Sequence, residues 1–484
     1  MLVAETLSKL MHDGMVLYIS IASLLILFVG LKKILSRESL SQRATLANGY
    51  NKNSSTWKLW TSDYPLYIIP VGALPSLRTE RKVDLPTHVH DQYQTKYTGA
   101  MCSSAFMRSV QVDLNNHLSD ILPETIEEMA YAFKRELPDS GEWQSILAFD
   151  KALRIIGLVS GRANVGHHLS RKAEWLDLYC LYPILFFSSI TAICKWPSFL
   201  RPIVQYRTPQ LKQMRKVRAR LTEMLAPEFE AQRNGKSQAQ NNMINWVWKN
   251  SAEKDRTTEN QSLIHILATV PSTYTVSFAV AQCIFDLGAR PEYIPILREE
   301  FQSILDSCGG TTGLTKESFS RMTKLDSFMK ESQRLNPLAL VSFERTALES
   351  ITLADGTHIP KGAHIAAPSY HIGHDPKYFE NPDEFDGLRF HRLQEKEKNG
   401  SGNLNSKHQY VSVNETSLHF GYGLQACPGR WFAAIEIKLF LGFLLQKYDI
   451  ALVDAGKGRP TSEIDRFFIY PDPEKMVILR KRSY

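Results

Sequence analysis

A mainly helical globular unit behind an N-terminal membrane-spanning segment is the fold class this sequence predicts, on three observations. An apolar helical pattern runs from about Gln261 to Leu287 and is closed by Gly288 and Pro291, residue types that end helices. A second runs from about Thr323 to Asn336 and stops at Pro337, and a third follows Gly429 with Trp431, Phe432, Ile435, Phe440, Leu441 and Leu444. Ahead of all three, Met15 to Leu31 is uncharged and mostly apolar, and Lys32, Lys33 and Arg37 follow it.

The 484 residues are 43% hydrophobic and 22% charged, enough to bury a sizeable core. Net charge is +7, from 57 basic and 50 acidic residues. So mild and diffuse an excess suits an acidic partner or anionic lipid and gives no case for nucleic acid. Six cysteines (102, 180, 194, 283, 308, 427) lack the dense spacing of a disulfide scaffold, so a reducing compartment is expected. Zinc spacing, a G-x-G-x-x-G loop and a serine-nucleophile elbow are missing from the sequence.

Taken in chain order, Met15–Leu31 is about 26 Å long as a helix at 1.5 Å per residue, the short end for a spanning segment. Its positive cluster follows the apolar run, whereas a signal peptide carries its charge in front. The positive-inside rule then leaves residues 1–14 lumenal and residue 32 onward in the cytosol. Trp143 opens E-W-Q-S-I-L-A-F-D-K, which reads as helical. Leu181 to Trp196 is apolar but bracketed by Pro183 and Pro197 and interrupted by Lys195, so it reads as a core helix or a lipid-dipping one rather than a span. The basic run Lys212 to Arg220 reads as a solvated helix face. Glu331 and Arg334 stand three apart on one helix face, a spacing common in solvated pairs. His391 to Thr416, with N-G-S-G-N inside it, reads as a long loop.

The most informative run comes last: F-G-Y-G-L-Q-A-C-P-G, Phe420 to Gly429. Its glycines let backbone approach something flat. The helix behind it directs amides and its positive dipole end at Cys427, which favours thiolate. One anionic sulfur under a planar cofactor is a haem-thiolate arrangement; a small buried cysteine in a turn is the plainer reading.

This run resembles the haem-binding loop of the cytochrome P450 family, F-x-x-G-x-R-x-C-x-G, through Phe420, Gly423, Cys427 and Gly429, with Gln425 where the family carries Arg or His. Glu331 and Arg334 resemble its E-x-x-R pattern, and Pro382, Phe385, Arg389 and Phe390 its P-x-x-F-x-x-x-R-F pattern, with Gly387 in place of a proline. The long helix resembles the one crossing the distal haem face, although of [A/G]-G-x-[D/E]-T-[T/S] only Thr275 survives and Tyr274 replaces the acid.

The resemblance implies a mainly α fold with small β-sheets, one catalytic domain over 76–484, and a linker and proline-bearing hinge (Pro65, Pro70, Pro75) over 32–75. It implies haem b with Cys427 as axial iron ligand and Phe420, Gly423, Gln425 and Gly429 around it. Arg345 would reach a propionate; a surface arginine is the alternative. Glu331, Arg334 and Arg389 would form a buried structural triad. Thr275 would be the distal catalytic residue beside a helix opened at Pro271, or else a helix threonine bonded back to a carbonyl. The implied activity inserts one oxygen atom from O2 into an apolar small molecule, a terpenoid, meroterpenoid or indole-diterpene intermediate of fungal secondary metabolism. Electrons would come from NADPH through NADPH-cytochrome P450 reductase, with cytochrome b5 as a further partner, at the endoplasmic reticulum membrane. The altered distal motif keeps a haem-thiolate isomerase or dehydratase as the alternative, and a non-catalytic haem sensor as a third class.

Overall fold

The computed structural model describes residues 44–52, 55–61, 63–236, 241–401 and 407–483. The expected anchor over 15–31 lies outside them. The described chain is mostly helical with four small sheets.

At its centre lies the long helix Thr258–Ala289. It packs against Ala148–Val165, Thr323–Leu335 and Arg430–Lys447, and its inner face (Val280, Ala281, Phe285, Leu287) is fully buried with Phe328, Leu441 and Leu445 in the main core. Pro271 leaves its mark within it. Having no amide and a ring that crowds the previous turn, proline breaks the i→i−4 ladder, and residues Val270–Tyr274 widen into a π turn. The sequence-expected opening is therefore present.

Helix Ala173–Cys194 carries Pro183 inside it. It and Thr258–Ala289 are long and apolar enough to cross a membrane, but 61% of each apolar window is buried in the protein. Of the two readings open for Leu181–Trp196, the core one therefore holds for the helix itself: Leu185, Phe186, Ile190 and Ile193 are buried.

The largest sheet runs Trp57–Trp60, Pro65–Ile68, His364–Ala367, Ser342–Ala347, Val83–Asp84 in spatial order. Residues 44–52 form a helix and the first two strands come from the stretch expected as linker and hinge, so the described residues of that stretch carry regular structure. Prolines there are compatible with pairing because Pro65 closes an outer hairpin, opposite Trp60.

Two further expectations fail. Gln144–Leu147 is a strand paired with Met476–Lys481, Ile146 opposite Val477, and the helix begins only at Ala148. The helical period ran on into this segment, but a partner strand more than 300 residues away claimed its amides. Arg480 stacks 4.9 Å over the Trp143 ring beside it. Residues His391–Thr416 are not one loop: Arg389–Ser401 is helical. Phe390 and Gln394 bury one face of it, and Glu395 and Lys398 pair at 2.9 Å on the other.

Candidate functional site: a cysteine loop and an opened helix

The Phe420–Gly429 loop is shaped by backbone bonds. The Cys427 amide donates to the Phe420 carbonyl at 2.7 Å and the Ala426 amide to Gly423 at 3.2 Å. Gly421 and Gly423 take φ of +75° and +73°. At Gly423 glycine is required twice over, since a Cβ would also collide with the Arg78 carbonyl oxygen. That oxygen accepts the Leu424 amide at 3.1 Å. Gly429, at φ −85°, caps the Arg430–Lys447 helix and has only Val110 near it, at ordinary contact distance. From the other side Asn115 Nδ2 donates to the Pro428 carbonyl at 3.1 Å. The Phe420 ring meets Tyr410 edge-on at 5.3 Å.

The Cys427 side chain is exposed. Burial pushes its thiol above the ordinary value, while the Gly429 amide, the Arg430 charge and the Arg430 amide pull the other way. The helix terminus thus acts on the sulfur in the expected direction.

Arg345 is not a surface arginine. It is 4% exposed, and it donates to the carbonyls of Glu344 at 2.7 Å, Gln425 at 3.4 Å and Tyr422 at 3.5 Å. A β-bulge aims it there: the register shifts between Ser342 and Arg345, Phe343 adopts φ +52°, and the guanidinium lies 4.7 Å over the Phe343 ring. Burial draws its pKa down to about 10, against the pull of Glu344 and Asp84. A buried cation held only by carbonyls beside an exposed thiol fits a cofactor that brings an anionic edge.

Gln425 behaves differently. Its Oε1 accepts the Leu85 amide at 3.0 Å and its Nε2 donates to Asp84 Oδ1 at 3.3 Å. Asp84 in turn caps helix Leu85–Gln92 through the Thr87 amide at 2.7 Å. The side chain is a strut between the cysteine loop and this helix, and no motif in the sequence signalled Asp84 or Leu85 as its partners.

Glu331, Arg334 and Arg389 are brought together in the interior. Arg334 donates to both Glu331 oxygens at 2.8 and 2.7 Å, and Arg389 Nε to Glu331 Oε1 at 3.1 Å. The solvated-pair reading fails, because Glu331 and Arg334 are buried. Gly387 has a local reason. Its amide donates to Tyr293 Oη at 3.1 Å, which proline could not do, and a Cβ there would press on Tyr293 and Phe328.

In the long helix, Thr275 Oγ1 donates to the Pro271 carbonyl at 2.8 Å, the back-bonded geometry. Tyr274 is packed among rings: Phe278 at 4.5 Å, Phe187 at 5.5 Å and Phe149 at 5.8 Å. Phe187 continues to Phe468 at 5.3 Å and Phe278 to Tyr470 at 6.1 Å. Sequence reasoning missed Phe468 and Tyr470; they stand in a C-terminal hairpin no motif marked.

Comparison with known proteins decides what this arrangement belongs to. The family model described as Cytochrome P450 matches residues 179–478. The chain is a member of the cytochrome P450 family. It is 34% identical over 451 residues to the cytochrome P450 monooxygenase BOA4 of Botryotinia fuckeliana, covering 91% of this chain and 89% of that one. It is 32% identical to the monooxygenase ascG of Acremonium egyptiacum, covering 90% and 88%. Among solved structures, a retinoic acid-bound cyanobacterial CYP120A1 superposes with a TM-score of 0.67 over 90% of this chain and 94% of that one. At 17% identity the likeness shows the fold alone. This P450 is therefore a monooxygenase of the oxidoreductase class, and its family is a haem family.

Proposed function

We propose that this P450 holds haem b through Cys427 and inserts one oxygen atom from O2 into an apolar small molecule of fungal secondary metabolism, a terpenoid, meroterpenoid or indole-diterpene intermediate. The observation that carries the reading is the pairing of an exposed Cys427 with a buried Arg345 that is hydrogen-bonded to backbone carbonyls of the same loop. When bound, haem supplies O2 activation, and thiolate ligation favours O–O cleavage. Phe420, Gly423 and Gly429 shape the loop, Gln425 braces it, and Arg345 offsets a propionate. Thr275 and the π turn at Pro271 hold the distal side. The rings of Phe187, Tyr274, Phe278, Phe468 and Tyr470 favour an apolar substrate with flat faces. Electrons come from NADPH through NADPH-cytochrome P450 reductase, with cytochrome b5 as an auxiliary donor, since the sequence carries no dinucleotide loop of its own.

Membrane attachment belongs to the same proposal, with residues 15–31 as a single-pass anchor in the endoplasmic reticulum, 1–14 lumenal and the catalytic domain cytosolic. Trp60, Phe199, Ile203 and Tyr206 are each more than 60% exposed. Their segments are tied together by Arg201, which pairs with Asp63 and donates to the Trp196 carbonyl at 2.8 Å. Such an apolar ridge suits a lipid surface.

The test is the ferrous carbonyl spectrum. Thiolate ligation by Cys427 gives the far-red-shifted Soret band, and Cys427→His abolishes it because imidazole is a neutral donor. A globin-like band in the wild type overturns the axial assignment.

A further inference from the structure

The monooxygenase reaction turns a C–H bond, one O2, two electrons and two protons into C–OH and water. Tyr274, where the family carries an acid, is a poor source of those protons: its ring is packed among Phe149, Phe187 and Phe278, and burial pushes its phenol further up. We infer that protons reach the distal helix from its opposite face, through the buried hydroxyls of Tyr179 and Thr273 and internal water oriented by Asn164 and His265. The inference rests on the monooxygenase activity of this P450.

Thr273 lies in the π turn, fully buried and turned away from the exposed Pro271. Its Oγ1 donates to Tyr179 Oη at 3.4 Å and stands 3.5 Å from Ser272 Oγ. Ser272, half-buried in the opened turn, donates its own hydroxyl to the Ala268 carbonyl at 2.7 Å and keeps a lone pair toward Thr273, which makes it the next acceptor on the distal side. Burial raises the Tyr179 phenol, while hydrogen bonds with Thr273, Asn164 and Ser272 pull it back. Asn164 Nδ2 donates to the His265 carbonyl at 3.2 Å, which leaves Oδ1 to accept from His265 Nδ1 at 2.7 Å. That bond fixes the proton on Nδ1 and makes Nε2 an acceptor. Burial holds the ring neutral, with its pKa lowered to about 3.

The interior around this chain is rich in polar atoms with nothing to bond. His265 Nε2, Trp175 Nε1, Ser170 Oγ and Ser262 Oγ are all buried and unpartnered. Their residues adjoin the chain: Trp175 stacks on Tyr179 at 5.6 Å, Ser262 precedes His265 by one turn, and Ser170 packs on Gly161, one turn before Asn164. A donor, an acceptor and two hydroxyls orphaned in one region are what buried water satisfies. The Tyr179 and Thr273 hydroxyls pass the proton; Asn164 and His265 are positioning residues that orient the water.

The experiment uses the full chain with a reductase and no substrate, measuring NADPH consumed per O2. Reduction of O2 to water takes four electrons and four protons, to peroxide two of each. Tyr179→Phe, which removes only the hydroxyl, shifts the ratio from nearer two toward one and raises peroxide, with the carbonyl spectrum and melting temperature unchanged. Thr273→Val does the same, and Thr273→Ser restores the wild-type ratio. A high-resolution crystal structure, independent of turnover, shows ordered water on His265 Nε2 and Trp175 Nε1. Wild-type ratios in both hydroxyl-deleted variants, or a dry interior at those atoms, overturn the relay. Should Tyr179→Phe fail to fold, the Thr273 pair decides alone. A wild-type chain that consumes no O2 with the reductase fails at the monooxygenase reading itself, and the relay falls with it.

Discussion

Gln425 reaches back along the chain to accept the Leu85 amide at 3.0 Å, while its Nε2 faces Asp84 at 3.3 Å. The residue that stands where relatives of this fold carry a cation thus spends its amide on a neighbouring helix. The charge next to the loop comes from Arg345 instead.

Gln425→Arg places a guanidinium between Asp84 and the cofactor edge, and haem is retained longer on dilution or in mild denaturant. Haem transfer to an apo-globin acceptor measures this. Gln425→Leu leaves the Leu85 amide without its acceptor, costing about 1–2 kcal/mol in a denaturant melt. Haem loss from Gln425→Arg as fast as from wild type shows that Arg345 alone compensates the propionate.

The Glu331 carboxylate serves Arg334, Arg389 and the Asp386 amide at 3.0 Å. Glu331→Gln leaves two guanidinium groups facing a neutral amide in the interior. A loss of about 3–5 kcal/mol is expected, read as a lower urea midpoint with an unchanged slope. A change under 1 kcal/mol by the same melt would mean that the carbonyls of Gly373, Pro382 and Glu384 around Arg334 suffice.

Glu436 is buried with Ser160 Oγ donating to its Oε1 at 2.7 Å, and burial lifts its pKa to about 8. The folded state therefore holds this proton where the unfolded chain releases it, near 4.3. Between those values the unfolded chain binds fewer protons, so stability falls as pH rises through the window and is greatest below it. Glu436→Gln removes this component, and the difference between the two midpoints widens from pH 5 to pH 8. Parallel curves would show that the carboxyl is already ionised when folded.

Deleting residues 1–36 shifts the protein toward the soluble fraction, with a residual salt-resistant association through Trp60, Phe199, Ile203 and Tyr206. Flotation with neutral vesicles measures it. Phe199→Ser with Ile203→Ser abolishes the residue in the truncated chain; binding unaffected by both changes removes the ridge from the membrane reading.

The chain's local chemistry was legible in its sequence. Pro271 lacks an amide, so a break in the hydrogen-bond ladder is dictated at that point of its helix. Pro337 and Pro291 stop helices by the same local rules, although Gly288 lies inside its helix, which runs on to Ala289; the Thr323–Leu335 helix ends where its spacing says. Gly421 and Gly423 announce the positive φ of the cysteine loop. What lay beyond reading were pairings between distant segments. Gln144–Leu147 is a strand because Met476–Lys481 lies alongside it. The Arg389–Ser401 helix forms where Arg389 is anchored to Glu331 and Phe390 is buried. Arg345 is aimed by a bulge, and Gln425 is claimed by Asp84 and Leu85. Helix breaks and glycine turns depend on a residue's own backbone and its nearest neighbours. Burial, strand partnership and side-chain pairing depend on which surfaces the fold brings together, and only the tertiary structure decides that.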